Sequence, residues 1–124
     1  MTGYRFEKLI VWQLAMEFCI EVYRITRAFP DDERYGLTSQ LRRASTAIPL
    51  NIAEGSGCRT KKEFMQFLYI ALRSEYEVVT ILKLVQRLSY IDVQSHDLLQ
   101  ISIAEIGRKL QALINSMQGP ANNK

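Results

Sequence analysis

A proline inside an apolar helical repeat is the feature that most restricts what this chain can become. Leu37, Leu41, Ala44, Ile48, Ile52 and Gly55 recur at helical spacing, which turns one face of a helix inward, and Pro49 stands within that repeat. Proline has no backbone donor and its ring crowds the carbonyl one turn back, so the Ser45 carbonyl is freed and a kinked helix is expected. Asn51 lies at the edge of the apolar face and is expected to be hydrogen-bonded inside the protein, near the groups Pro49 releases. Arg42 and Arg43 are successive residues, about 100° apart on the helix, so both cannot enter the core. At least one must face solvent or a neighbouring subunit.

The remaining chain reads as long, regular helices around this irregular one. In the first, Trp12, Ala15, Met16, Cys19, Val22 and Tyr23 form one stripe and Val11, Leu14, Phe18 and Ile25 a second. Together they span roughly 200°, where one core needs little more than 100°. The second stripe therefore predicts either self-association or an unusually wide intramolecular core. Phe29 to Gly36 ends that helix, and Gly55 to Arg59 ends the next. Thr60 followed by Glu63 has the order of a capping box and starts a third helix, with Phe64, Phe67, Leu68, Ala71, Val78, Ile81, Leu82 and Val85 inward. Glu75 and Glu77 interrupt that face. At least one is expected to be removed from bulk water, with Gln40, Arg43 or Asn51 as donors. Asp92 or Ser95 caps a last helix carrying Leu99, Ile103, Ile106, Leu110, Leu113 and Met117. The prediction is a single all-α domain over residues 1–124, an up-down-up-down four-helix bundle with helices at about 9–28, 37–55, 61–88 and 95–118, and a frayed tail at 119–124.

Charge is distributed unevenly along these helices. Residues 1–33 hold four bases and six acids, residues 34–73 seven and two, and residues 74–124 five and five. The positive excess thus belongs to the organising helix and its flanks, a pattern suited to a polyanionic partner and also met on ordinary solvated faces. On the third helix Lys62, Tyr69, Arg73, Tyr76, Thr80, Lys83 and Arg87 make an acid-free stripe. Such a stripe can grip phosphates and stack bases, or serve as a solvated face or subunit contact. No hydrophobic stretch reaches membrane-spanning length before a charge interrupts it, and the N-terminus has no apolar signal core. Two cysteines, Cys19 in a helix and Cys58 in a loop, suit a reducing cytoplasm.

Catalytic and metal chemistry is poorly represented. A di-iron bundle of the common kind needs a Glu-x-x-His pair on each of two helices, and His96 is the single histidine. It is expected in a solvated turn, too far from Arg87 for the short Arg-to-His spacing of four-helix ribonucleases. Gly55-Ser56-Gly57 lacks the Gly-Lys-Ser/Thr ending of a phosphate loop. Glu75 and Glu77 point apart on adjacent faces of one helix. No enzyme, no metal and no cofactor is expected.

Several motifs resemble a known family. They are Leu9 with Val11-Trp12, Phe29-Pro30 with Glu33 and Tyr35-Gly36-Leu37, Gln40 to Ala44, and Ile48-Pro49 followed by Asn51-Ile52-Ala53-Glu54-Gly55. Glu63-Phe64, Phe67-Leu68, Ile70-Ala71 and Ser74 with Glu77 extend the likeness over nearly the whole chain. The sequence resembles the bacterial four-helix-bundle proteins encoded in intervening sequences of large-subunit ribosomal RNA genes, sometimes labelled ribosomal proteins. It departs from them in the third helix, where Arg73 and Glu75 replace the family's usual glycine and apolar residue around Ser74. The resemblance implies a ring-shaped homo-oligomer, commonly a pentamer, and no established activity. A structurally similar relative, the accessory protein of diversity-generating retroelements, is a basic pentameric barrel that binds nucleic acid and its reverse transcriptase.

The expected function is that of a non-enzymatic oligomeric bundle binding nucleic acid, RNA rather than DNA, through Arg42, Arg43, Arg59, Lys61, Lys62 and Arg73. Gln40, Asn51, Glu54, Glu75 and Glu77 are expected to be structural polar residues. The alternative is a protein-binding scaffold whose basic residues merely solvate it.

Overall fold

In the computed structural model, residues 3–119 are described, and the frayed tail expected at 119–124 lies outside them beyond Gly119. A short 3-10 turn at Arg5–Lys8 precedes α1 (Ile10–Thr26), and a second at Asp31–Glu33 precedes α2 (Leu37–Ser56); α3 (Lys61–Arg87) and α4 (Val93–Met117) follow. Thr60 and Glu63 close the capping box at the start of α3, each side chain bonding the other's backbone amide. Asp92 caps α4 through the Ser95 amide at 2.7 Å. Each helix packs against its neighbours in a closed square, α1 on α2, α2 on α3, α3 on α4 and α4 on α1, with no diagonal pair in contact among the described residues. The α2–α3 interface is the most extensive and the α1–α4 seam the thinnest. At the foot of the α2–α3 pair Gly55 lies against Phe64 and Phe67, so close that a Cβ there would stand 2.7 Å from Phe64 Cδ1.

α2 runs through Pro49 without interruption. The carbonyl that proline frees does find a donor, on another helix: Cys19 Sγ of α1 donates to Ser45 O at 3.2 Å. Burial pushes the Cys19 thiol up to about 11, so the S–H donor persists at neutral pH. Asn51 is hydrogen-bonded within the protein as expected, but not to the carbonyl that Pro49 frees. It is half-buried, and its Nδ2 donates to Ala47 O of its own helix at 2.7 Å.

The second stripe of α1 packs into the intramolecular core. Val11 and Phe18 of the second stripe are buried with Ala15, Cys19 and Val22, while Leu14 and Ile25 pack against the same core. Of the first stripe, Met16 and Tyr23 are left exposed, and so are apolar side chains outside both stripes, among them Ile10 and Ile20 on α1, Leu50 on α2, and Leu98 and Ile101 on α4.

Of the two carboxylates that interrupt the apolar face of α3, Glu75 is buried and Glu77 exposed. Glu75 turns to α4, away from Gln40, Arg43 and Asn51, and its carboxyl covers Gly107, where a Cβ would meet Oε2 at 2.5 Å. Burial alone raises the pKa of this carboxyl. Its folded pKa therefore exceeds the unfolded one, and stability is greatest below the unfolded pKa and is lost as pH rises through the folded value. Glu75→Gln, which keeps the shape without the charge, is expected to raise the melting temperature at pH 7 by a few degrees. Melts repeated near pH 4 should show that gain gone; a variant less stable than wild type at pH 7 would show that the carboxylate has a compensating partner.

Candidate nucleic-acid interface

The basic residues singled out by the sequence fall into two groups on the bundle. At the α1–α2 end, Arg42 and Arg43 line a groove of about 470 Å³ with Tyr23, Arg34, Tyr35, Thr38, Ser39 and Thr46. Arg59, Lys61 and Lys62 are exposed at the α2–α3 turn. Thirteen residues of helix separate Arg43 from Ser56, or roughly 20 Å, so the two groups cannot contact a single phosphate. Arg73, midway along α3, lies nearer the first group. It shares a second groove with Gln40, Tyr76, Glu77, Thr80 and Ile81. Gln40, Glu54 and Glu77 are exposed, so the polar residues with an internal place are Asn51 and Glu75.

The local fold fixes the first groove from several sides. Gly36, at the N-cap of α2, has no side chain to cap with. Glu33 does the work instead, accepting the Leu37 amide at 3.1 Å through Oε1 and the Tyr90 hydroxyl at 2.8 Å through Oε2. That hydrogen bond raises the Tyr90 pKa, because it stabilises the protonated phenol. Phe29 is buried with its ring 5.6 Å from that of Tyr90. The connection carrying Arg34 and Tyr35 is thereby tied to the α3–α4 turn.

Arg42 is held more firmly than its neighbours. Its Nε donates to Thr26 Oγ1 at 2.8 Å, and its guanidinium carbon lies 4.5 Å from the centroid of the Tyr23 ring. Thr26 in turn is anchored by donating to Val22 O at 2.7 Å. With Nε and one face of the guanidinium engaged, the terminal nitrogens remain as paired donors for an anion. Arg43 is exposed, and Arg34 lies over Tyr35 at 5.5 Å. Among the described residues no carboxylate is within ion-pair range of Arg34, Arg42 or Arg43; the pairs found are Arg24–Glu21 and His96–Asp97.

Arg34, Tyr35, Tyr23, Thr38 and Ser39 were not singled out as site residues by the sequence. Arg34 and Tyr35 stand just ahead of Gly36, the N-cap of α2, eight and seven residues before Arg42 in sequence. Tyr23 reads as a core residue by periodicity, yet its ring is half exposed as a seat for the Arg42 guanidinium. The α1–α4 side of the bundle has the opposite character: its cleft, about 170 Å³, is bordered by Glu17, Glu21 and Glu105.

Other chemistry is sparse. His96 is not a solvated turn residue: it lies in the first turns of α4, between Asp97 Oδ1 at 2.9 Å and Gln100 Nε2 at 3.2 Å. Gln100 Nε2 also donates to Val79 O on α3 at 3.1 Å. The described residues contain no cluster of histidine, cysteine, aspartate or glutamate able to hold a metal ion, and no helix long and apolar enough to cross a membrane.

A family model for 23S rRNA-intervening sequence proteins matches residues 7–112. The chain belongs to that family. The match takes in the Glu33 connection, the proline-bearing α2 and both basic groups. Among solved structures, the chain is similar to a protein of unknown function from the S23 ribosomal protein family of Bacteroides thetaiotaomicron. The two share 23% identity with a TM-score of 0.80, covering 86% of this chain and 96% of the other, a likeness of fold. No curated protein matches the sequence.

Proposed function

We propose that this protein is a non-enzymatic, oligomeric helical bundle of the bacterial cytoplasm that binds nucleic acid, RNA ahead of DNA, through the arginine-lined groove. The observation that carries the reading is that Arg34, Arg42 and Arg43 converge on one groove with no carboxylate neutralising them. Phosphate oxygens are the acceptors such a groove lacks. The carboxylates beside the α1–α4 seam would repel a polyanion and leave it the side of the bundle that carries α2 and the groove. RNA is placed first because the family is named for sequences within 23S rRNA. Exposed Ile10, Ile20, Leu98 and Ile101 support self-association, and a ring such as a pentamer would join the grooves of successive subunits into one track.

Phosphate contacts of this kind do not read bases, so affinity should fall steeply with salt and vary little with sequence. Fluorescence anisotropy titrations of labelled RNA at two salt concentrations, with wild type, Arg43→Ala and Arg34→Ala, test the reading. Each variant is expected to lower the salt slope by about one and weaken all sequences alike. Arg42→Ala is a poorer probe, since it also removes the Thr26 and Tyr23 contacts within the fold. Unchanged affinity in both variants would exclude the groove. A complete lack of binding at low salt would favour the second reading, a protein-binding scaffold. That reading is supported by a distinct apolar groove of about 490 Å³ between α1 and α2, where Trp12, Met16, Pro49 and Leu50 meet.

A further inference from the structure

The six tyrosines divide by what their rings do. Tyr4 stacks on Phe6, Tyr23 carries the Arg42 guanidinium, Tyr35 lies beneath Arg34, and Tyr90 packs on Phe29 and bonds Glu33. Tyr69 and Tyr76 have no ring, cation or hydroxyl partner among the described residues, and both are exposed, at 46% and 70%. They are seven residues apart on α3, and therefore on one face, with Arg73 between them. Tyr69, Arg73 and Tyr76 border an open cleft of about 530 Å³ together with Gln66, Ile70 and Leu72. Beyond Tyr76, Arg73 continues into the groove shared with Gln40.

An amphipathic ring left outside the fold has a cost in exposed apolar surface, and here two such rings flank one cation with the half-buried Ile70 and Leu72 beside them. The chemistry complementary to all three is a flat, apolar, hydrogen-bonding ring attached to an anion. Nucleobases of a single strand have that chemistry, because each carries a phosphate and exposes a stacking face. A duplex does not, since its bases are already stacked on one another. Seven helical residues put the two rings about 10 Å apart along α3. Adjacent bases in a duplex lie about 3.4 Å apart along each strand. Duplex bases three steps apart match that distance but are stacked on both faces, so a strand free to splay its bases is the form that offers both rings a partner.

We infer that the Tyr69–Arg73–Tyr76 face of α3 is a nucleobase-stacking site, which makes the protein a binder of single-stranded nucleic acid in preference to duplex. The inference rests on the nucleic-acid reading above and adds bases to a contact otherwise made only to phosphates. Arg73 holds the backbone while Tyr69 and Tyr76 each take a base.

The test uses three labelled probes of equal length: a single strand, the same strand made abasic, and the duplex. They are titrated against wild type, the double variant Tyr69→Ala with Tyr76→Ala, and its Phe counterpart. Wild type is expected to bind the base-bearing strand at least about fivefold tighter than the abasic strand. The alanine variant should lose that difference while keeping its affinity for the abasic strand, and the phenylalanine variant should retain it. Equal binding of base-bearing and abasic strands by wild type would overturn the stacking site and leave phosphate binding standing. No binding to any probe would remove both. If the alanine variant instead changed its sedimentation coefficient and kept the base dependence, the face would be a contact between subunits, and the inference would fall.

Discussion

Phe18→Glu is expected to unfold this protein, while Ile20→Glu, two positions along the same helix, leaves it folded. Phe18 is buried beside Leu14, Leu99 and Ile106 where α1 meets α4, whereas Ile20 is 65% exposed. Deleting a buried phenylalanine side chain costs roughly 3–5 kcal/mol before any charge is added. The new carboxylate would lie among Glu17, Glu21 and Glu105, with like charges around it and little water to solvate it. Domains of this size have only about 5–15 kcal/mol in total, so most of the stability is removed. Circular dichroism at 25 °C should show a large loss of helix for Phe18→Glu and almost none for Ile20→Glu. Ile20→Glu should alter only the sedimentation coefficient, if α1 contributes to an interface. A Phe18→Glu protein that kept its helicity and merely sedimented more slowly would return that side chain to a subunit contact.

The second large effect is expected where α1 meets Pro49. Cys19→Ala removes the thiol that donates to the Ser45 carbonyl across the α1–α2 interface, and should cost roughly 1–3 kcal/mol. Pro49→Ala restores a backbone N–H at position 49, which can donate to that carbonyl in the ordinary helical way. The two substitutions should therefore be coupled: with alanine at 49, the cost of Cys19→Ala shrinks to the packing of one sulfur atom. Chemical denaturation of the four proteins measures the coupling, expected at about 1–2 kcal/mol. Strict additivity would show that the thiol contributes only its volume. Cys19→Ser, which keeps a donor, should fall between wild type and Cys19→Ala.

How far the sequence could be read depended on whether the relevant partner was local. Helix positions, the Thr60–Glu63 box and the Asp92 cap all rest on contacts within four residues, and each was legible. The 3-10 turns at Arg5–Lys8 and Asp31–Glu33 were not, because they lack an apolar period. Pro49 announced a freed carbonyl, but nothing local could announce that Cys19, 26 residues upstream of Ser45, would take it. Asn51 was nominated for that role by proximity, and it bonds Ala47 because an i, i+4 partner was already within reach. Glu75 illustrates the limit in another way. Periodicity put it on the buried side of α3, but its fit depends on Gly107, a residue of a different helix that leaves room for the carboxyl. The site was half legible for the same reason. The charge excess of residues 34–73 was visible, whereas the union of Arg34, Tyr23 and Arg42 in one groove required α1, α2 and their connection to be in place.

The unequal sides of the square bundle have a consequence for how the chain reaches its native state. α2 and α3 are joined by a short, capped turn and share the broadest interface, so their pairing closes a small loop and gains the most surface at once. α1 and α4 are the most distant helices in sequence and share the thinnest seam. Their docking closes nearly the whole chain for the least return, which places it late on the route to the folded protein. In the reverse direction the same seam is the first to part. Amide protons near it, around Phe18 and Leu99, should exchange through partial opening, while those of Ile52 and Leu68 should be released only when the whole molecule unfolds.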